Sequence, residues 1–362
     1  MSIPKTMQAV LTIGHGGLEK LDVRDDVLVP KPGPGEVLVE VSGCGMNNTD
    51  IWVRQGAYGT DDDPNAVASW RRGQLENTLT FPRIQGADTA GRIAAVGAGV
   101  DAARIGERVI VDFSIYNGDG VSLADIDYIG HGRDGGYAEY MVAPAENVYE
   151  VKRPISDAEL ATFCCAYLTA EHMLDRAGVE AGERVLITGA SGGVGSGLIQ
   201  LCRARGAIPY ALAGQGKENA VKAIGAEAVI TRGEGPLGEA VHRATGGRPI
   251  DVVADLVAGP LFGDLINLIR PEGRYTTAGA IAGPLVTLDL RTLYLKHLTL
   301  HGSSQGTRAA FQRLVRYIED GRIKPLLWKT YPLSKIREAQ ADFMAKGFVG
   351  KLVVVPDRKW KE

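Results

Sequence analysis

Residues 184–200 read RVLITGASGGVGSGLIQ. The run RVLIT has the apolar, β-branched texture of a short strand, and the residues after the glycines read as a helix ending near Arg205. Gly189, Gly192 and Gly195 stand between the two. Glycine permits the tight turn and lets backbone amides approach a pyrophosphate closely. The helix N-terminus that follows offers free N–H groups and the positive end of its dipole to the same anion. A glycine triplet alone is weak evidence, and a purely structural turn competes with it. The strand before, the helix after and the further strand–helix units downstream favour a dinucleotide site built from Gly189, Ser191, Gly192, Gly193, Val194 and Gly195.

Downstream, the strand-like runs IPYALA, EAVIT, IDVVAD, GRYTTAG and HLTLHGSS alternate with helical segments. Apolar strands alternating with helices predict an α/β fold with a doubly wound parallel sheet, here of six strands. Ligands of such sheets lie outside the carboxyl ends of the strands. Thr277, Ala278 and Gly279 end the fifth strand and Gly302 and Ser303 the sixth, so this backbone is expected to face the cofactor. An enzyme selective for NADH should carry an acid at the end of the second strand to hold the ribose 2′-hydroxyl. The chain has Gly214 and Gln215 there, with Lys217 placed to meet a 2′-phosphate. NADPH is therefore the expected cofactor in preference to NADH.

Upstream, residues 1–150 carry the short runs QAVLTI, EVLVEVSG, GRIAAVG, ERVIVD and GYAEYMVAP, broken by glycine, and predict a mostly antiparallel β domain. The expected division is a β-rich catalytic domain over residues 1–165, a nucleotide-binding domain over 166–305, and a segment over 306–362 that returns to the first domain through GKLVVVP. Two long polar stretches, 59–80 and 113–135, interrupt the β domain, and the first is either a solvated insertion or a lid.

The chain has 362 residues, 45% hydrophobic and 23% charged, with a net charge of −3. That is the composition of a globular enzyme of two domains. No basic stripe points to nucleic acid, and no apolar run is long enough to span a bilayer. The first residues lack a signal-peptide core. Cys44, Cys164, Cys165 and Cys202 form no C-x-x-C pair, and a cytoplasmic setting is expected.

Taken together, PGPGEVLVEV, GADTAGRIAAVGAGV, GERVI, GGYAEYMV, TGASGGVG and VGKLVVVP make the chain resemble the medium-chain dehydrogenase/reductase superfamily along nearly its whole length. The resemblance implies a GroES-like catalytic domain beside a Rossmann domain, the active site between them, and Thr169 as a cofactor contact. In zinc-dependent members a ligand Cys falls on Asn47 and a ligand His on Ala87, within Gly86-Ala87-Asp88. Only the third ligand position keeps its cysteine, Cys165, and the four-cysteine structural lobe expected in residues 95–130 has none. A catalytic zinc needs three protein ligands, so no zinc is expected, and Cys165 is expected to be a small buried apolar residue. Recruitment of His131 by Asp88 and Cys165 is the alternative.

Gly45, Asn47, Asp50, Arg54, Gly56 and Tyr58 instead resemble the zinc-free quinone oxidoreductase branch. The implied chemistry is hydride transfer to a quinone or an α,β-unsaturated carbonyl, a small-molecule substrate. Without a metal, hydrogen-bond donors must stabilise the charge that develops on oxygen. Tyr58 and Asn47 are the candidate donors, and Asp50 is the third candidate of the catalytic set, expected to organise the loop. An alcohol dehydrogenase with an atypical metal site, or a cofactor-binding protein without turnover, stays open. The apolar strand HLTLHG, residues 297–302, is expected at a sheet edge, where it would join two chains into a homodimer.

Overall fold

The computed structural model of the protein describes residues 3–57, 79–116 and 127–360. Six parallel strands form the nucleotide-binding sheet, in the order Ala228–Thr231, Ile208–Ala213, Arg184–Ile187, Ile250–Asp255, Ile269–Thr277, Thr299–Gly302. In chain sequence that order is 3-2-1-4-5-6, with the change of direction beside the first strand, where dinucleotides bind. The first, second and fourth strands are almost wholly buried, because helices cover both faces of a parallel sheet. Thr299–Gly302 is the edge strand, and its burial pattern is half-exposed to exposed.

The other half is a β domain centred on the strand Glu36–Gly45, which pairs antiparallel with Asp88–Val96 and with Tyr140–Pro144. The last strand, Lys351–Val355, pairs antiparallel with the end of Glu36–Gly45, Val353 facing Gly45 and Val354 facing Cys44. It also pairs in parallel with Leu327–Pro332. The chain therefore leaves the nucleotide-binding half through the helix Arg308–Glu319 and ends inside the β sheet. This pairing places Lys351, the first residue of the strand, beside Met46 and Asn47.

One apolar core runs through both halves. Val39, Ile93 and Val109 of the β domain belong to the same buried cluster as Tyr167, Leu198 and Val185 around the nucleotide-binding sheet. The helix Cys164–Arg176 packs between the halves, against the helix Gly193–Arg205 on one side and the helix Arg308–Glu319 on the other. Among the described residues no helix is long and apolar enough to cross a membrane.

Candidate active site

The glycine turn forms as its sequence requires. Gly189 has φ +57°, in the left-handed region where a side chain is strained. A Cβ on Gly195 would stand 2.3 Å from the Gly189 carbonyl oxygen, so only glycine lets this helix start so close to the strand. The helix Gly193–Arg205 has no side-chain cap at Gly192, which leaves its first N–H groups to a ligand. A cleft of about 440 Å³ opens above this turn, between the two halves.

Gly189, Ser191, Gly192, Gly193, Val194 and Gly195 all line the cleft, as do Thr169, Gly214, Lys217, Ala278 and Gly279. Ser303 does not; its backbone N–H donates to the Thr277 carbonyl at 2.8 Å, which ties it to the end of the neighbouring strand instead. Lys217 lines the cleft with its ammonium on the carbonyls of Lys346, at 2.7 Å, and Phe348, at 3.1 Å. Burial, and then the nearby Arg232 cation, push the Lys217 ammonium below its usual value. Arg232, just past the third strand, lines the same rim. Glu218 accepts from the Gly216 N–H and the Thr231 hydroxyl instead of pairing with either cation.

At the other end of the cleft lies a buried polar node. Asn47 is the N-cap of the helix Asn48–Gln55, and its backbone N–H donates to Asp50 Oδ2 at 2.8 Å. Tyr137 donates its hydroxyl to the same Asp50 oxygen, also at 2.8 Å. Asp50 is buried and does not line the cleft, and its carboxylate ties the Asn47 backbone to the Tyr137 hydroxyl. Burial pushes its carboxyl up to about 6 against these hydrogen bonds.

The Asn47 side-chain oxygen accepts from the Lys351 ammonium at 2.5 Å. Lys351 also donates to the Met46 carbonyl at 2.8 Å and to Asp88 Oδ2 at 2.7 Å. Asp88 Oδ1 accepts from the Cys165 backbone N–H at 2.7 Å. Burial opposes the charge of Lys351, but the Asp88 carboxylate beside it, with Asp50, outweighs burial and raises its ammonium above its usual value. Asn47 Nδ2 is buried and has no hydrogen-bond partner among the described residues, although Asn47 lines the cleft. Asn47, Asp88 and Cys165, which sit at or next to three family ligand positions, thus surround a fixed ammonium.

A zinc ion does not fit this chemistry. Asn47 Oδ1 already accepts from a cation, Ala87 has no ligand atom, and a dication at the node would meet the Lys351 charge at contact distance. Cys165 packs against the apolar core but is only half-buried, less than expected, and lines the cleft. Burial, and then Asp88, push its thiol well above the usual range, so it stays protonated. His131 is elsewhere, its Nδ1 at 2.9 Å from Asp127 Oδ1 and its ring stacked on Tyr128. Among the described residues no group of three or more His, Cys, Asp or Glu side chains could hold a metal. Tyr58, with most of the 59–80 stretch, lies outside the described residues.

Sequence reasoning missed Lys351, Arg232 and Lys346, which also lines the cleft. Lys351 left a signal: a charged residue opening the apolar strand KLVVV must be paired if that strand is buried. Lys346 donates to Asn48 Oδ1 at 2.7 Å. Burial, then the Lys217 and Lys351 cations, push it down to about 8.

Comparison with known proteins agrees with this fold. Residues 33–153 match the alcohol dehydrogenase GroES-like domain, and residues 193–320 match the zinc-binding dehydrogenase domain. The quinone oxidoreductase of Sus scrofa is 28% identical over 360 residues, covering 97% of this chain and 98% of that protein. A crystal structure from Sinorhizobium meliloti 1021, provisionally described as an alcohol dehydrogenase, is 71% identical with a TM-score of 0.94, covering 98% of each chain. A thermostable alcohol dehydrogenase from Pyrobaculum aerophilum is 33% identical with a TM-score of 0.81, covering 97% of this chain and 100% of that one.

Proposed function

The chain belongs to the medium-chain dehydrogenase/reductase superfamily and is an NAD(P)-dependent oxidoreductase, and from that premise we propose a zinc-independent, NADPH-dependent reductase of quinones or α,β-unsaturated carbonyls. The observation that carries this reading is the pairing of a fixed ammonium with an orphaned amide donor. Lys351 occupies the node that ligand positions surround, and the buried Asn47 Nδ2 beside it has no acceptor among the described residues. A buried donor without a partner is costly, so a ligand oxygen is the natural occupant of that hydrogen bond.

The glycine turn and the first N–H groups of Gly193–Arg205 would hold the pyrophosphate, with Thr169, Ala278 and Gly279 along the cleft wall. The bound nicotinamide supplies the hydride. Asn47 would orient the acceptor carbonyl and stabilise the negative charge that gathers on its oxygen when the β-carbon is reduced. Such charge is spread by conjugation, so neutral donors suffice where a simple ketone would call for a metal. Met46, Trp52, Leu256, Leu261 and Ile281 give the cleft an apolar lining. Tyr58 is proposed as the source of the proton for the α-carbon. Asp50 keeps the Asn47 backbone in place.

The preference for NADPH is supported by Lys217 and Arg232 together at the rim, with no carboxylate at position 214 or 215. Two cations close enough to repel one another favour a dianion between them. The test is a panel of quinones, enones, enoyl-CoA esters and secondary alcohols, each with both nicotinamides. Faster oxidation of secondary alcohols than reduction of any quinone or enone would overturn the proposal.

A further inference from the structure

We infer that Lys351 is a positioning residue of this site, fixing the Asn47 amide so that its NH₂ end is presented to a ligand in the cleft; the kinetic part of this inference rests on the proposed carbonyl reduction. An ammonium has three donors and no acceptor. All three are committed, to the Met46 carbonyl, Asn47 Oδ1 and Asp88 Oδ2, at 2.8, 2.5 and 2.7 Å. These acceptors come from two separate pieces of chain: the adjacent residues Met46 and Asn47, which join the strand Glu36–Gly45 to the helix Asn48–Gln55, and Asp88 at the start of the strand Asp88–Val96. The Lys351 side chain itself is 3% exposed and the Asp88 side chain fully buried.

Because the ammonium cannot accept, the amide beside it must turn its oxygen inward. That choice leaves Nδ2 facing away, buried and without a partner among the described residues, on a residue that lines the cleft. The backbone is held as well, since the Asn47 N–H donates to Asp50 Oδ2 at 2.8 Å. Both ends of the residue are thus fixed before any ligand arrives, which is the arrangement that gives a donor its catalytic value. The cation also polarises the amide it grips and strengthens the remaining N–H as a donor.

Stability alone does not explain the ion pair. A buried pair gains little over an apolar pair of the same size, because desolvation cancels most of the attraction. The lysine stem also reaches the cofactor turn: a Cβ on Gly193 would stand 2.8 Å from Lys351 Cδ, and the Gly350 N–H donates to the Ser191 carbonyl at 3.1 Å. The same strand start therefore registers the amide against the glycine loop.

The test pairs Lys351→Met with Asp88→Asn, so that no charge is left buried alone. We expect kcat with the best enone or quinone to fall roughly tenfold to a hundredfold, short of the largest losses for a single oxyanion donor, while NADPH binding and melting temperature stay close to wild type. Adding Asn47→Ala to that variant should slow it no further, since both changes remove one function. A pair variant that turns over at the wild-type rate, or losses that multiply with Asn47→Ala, would overturn the inference. A second readout needs neither turnover nor the pair variant. In wild-type protein labelled with ¹⁵N-asparagine, the side-chain amide of Asn47, assigned by its loss in Asn47→Ala, should give one slowly exchanging pair of signals. A rapidly exchanging, rotating amide contradicts the inference. Wild-type protein that reduces no quinone or enone would instead defeat the proposed function, and the amide signal would still decide the role of Lys351.

Discussion

The Lys351 ammonium lies 2.7 Å from Asp88 Oδ2, and the side chains are 3% and 0% exposed. A cation is thus built into the covalent chain at a place where relatives that use zinc would bring metal ligands.

The first expectation concerns metal. Asn47→Cys should not create a zinc-dependent alcohol dehydrogenase even with zinc added, because Ala87 supplies no ligand and Lys351 keeps its charge there. Elemental analysis of wild type and variant should find far less than one zinc per chain. Stoichiometric zinc, with activity lost on chelation, would contradict this.

The second concerns the cofactor. Arg232→Ala and Lys217→Ala should each weaken NADPH more than NADH, by roughly tenfold for a charge-assisted contact of about 1.5 kcal/mol or more. Lys217 has the smaller effect of the two if its bonds to the Lys346 and Phe348 carbonyls persist when cofactor binds. Titration of wild type and both variants by fluorescence gives the dissociation constants for the two cofactors. An unchanged NADPH-to-NADH ratio in both variants would show that neither side chain meets the 2′-phosphate.

The third is a pH dependence. Lys346 is pushed down to about 8, so it is charged below that value and loses its proton as pH rises through it. Binding of an anionic cofactor should therefore be tight at pH 7 and weaken between about pH 8 and 9, beyond any change seen in Lys346→Met. Bound cofactor stabilises the charged form and moves the transition upward. Identical pH profiles for wild type and Lys346→Met would remove Lys346 from the binding account.

The fourth concerns assembly. The edge strand Thr299–Gly302 has Leu300 37% exposed, and Leu285, Leu290, Tyr294 and Leu295 nearby in the chain are 59–92% exposed. An open edge flanked by exposed apolar side chains is suited to two-fold pairing. Light scattering at micromolar concentration should give a mass near twice 38.5 kDa. Leu300→Lys should shift it toward one chain, and a monomeric wild type would contradict the expectation.

Much of this architecture was legible in the sequence. The glycine turn and the six strands follow from local chemistry: apolar runs need two covered faces, and Gly189 and Gly195 are required by backbone conformation and close approach. The exposed edge at Thr299–Gly302 likewise followed from chain order. Positions 47 and 87 announced the missing zinc ligands through residue type alone. What replaced them was not legible, because Lys351 is 304 residues from Asn47 in the chain and reaches it only through strand pairing. Arg232 and Lys346 were hidden for the same reason, since exposed cations are common and only the fold selects the two beside the cleft. The side-chain bonds of Lys217 to the Lys346 and Phe348 carbonyls depend on how the two halves meet.

The central claim is metal-free carbonyl reduction in which Asn47 donates to the substrate oxygen. The most direct measurement is single-turnover hydride transfer from NADPH to the best enone or quinone, in chelator-treated protein, for wild type and Asn47→Ala. The account predicts full wild-type activity after chelation, and a step in Asn47→Ala slowed roughly tenfold or more with NADPH affinity nearly unchanged. Equal rates in the two proteins, or wild-type activity that disappears with chelation and returns with zinc, would contradict it.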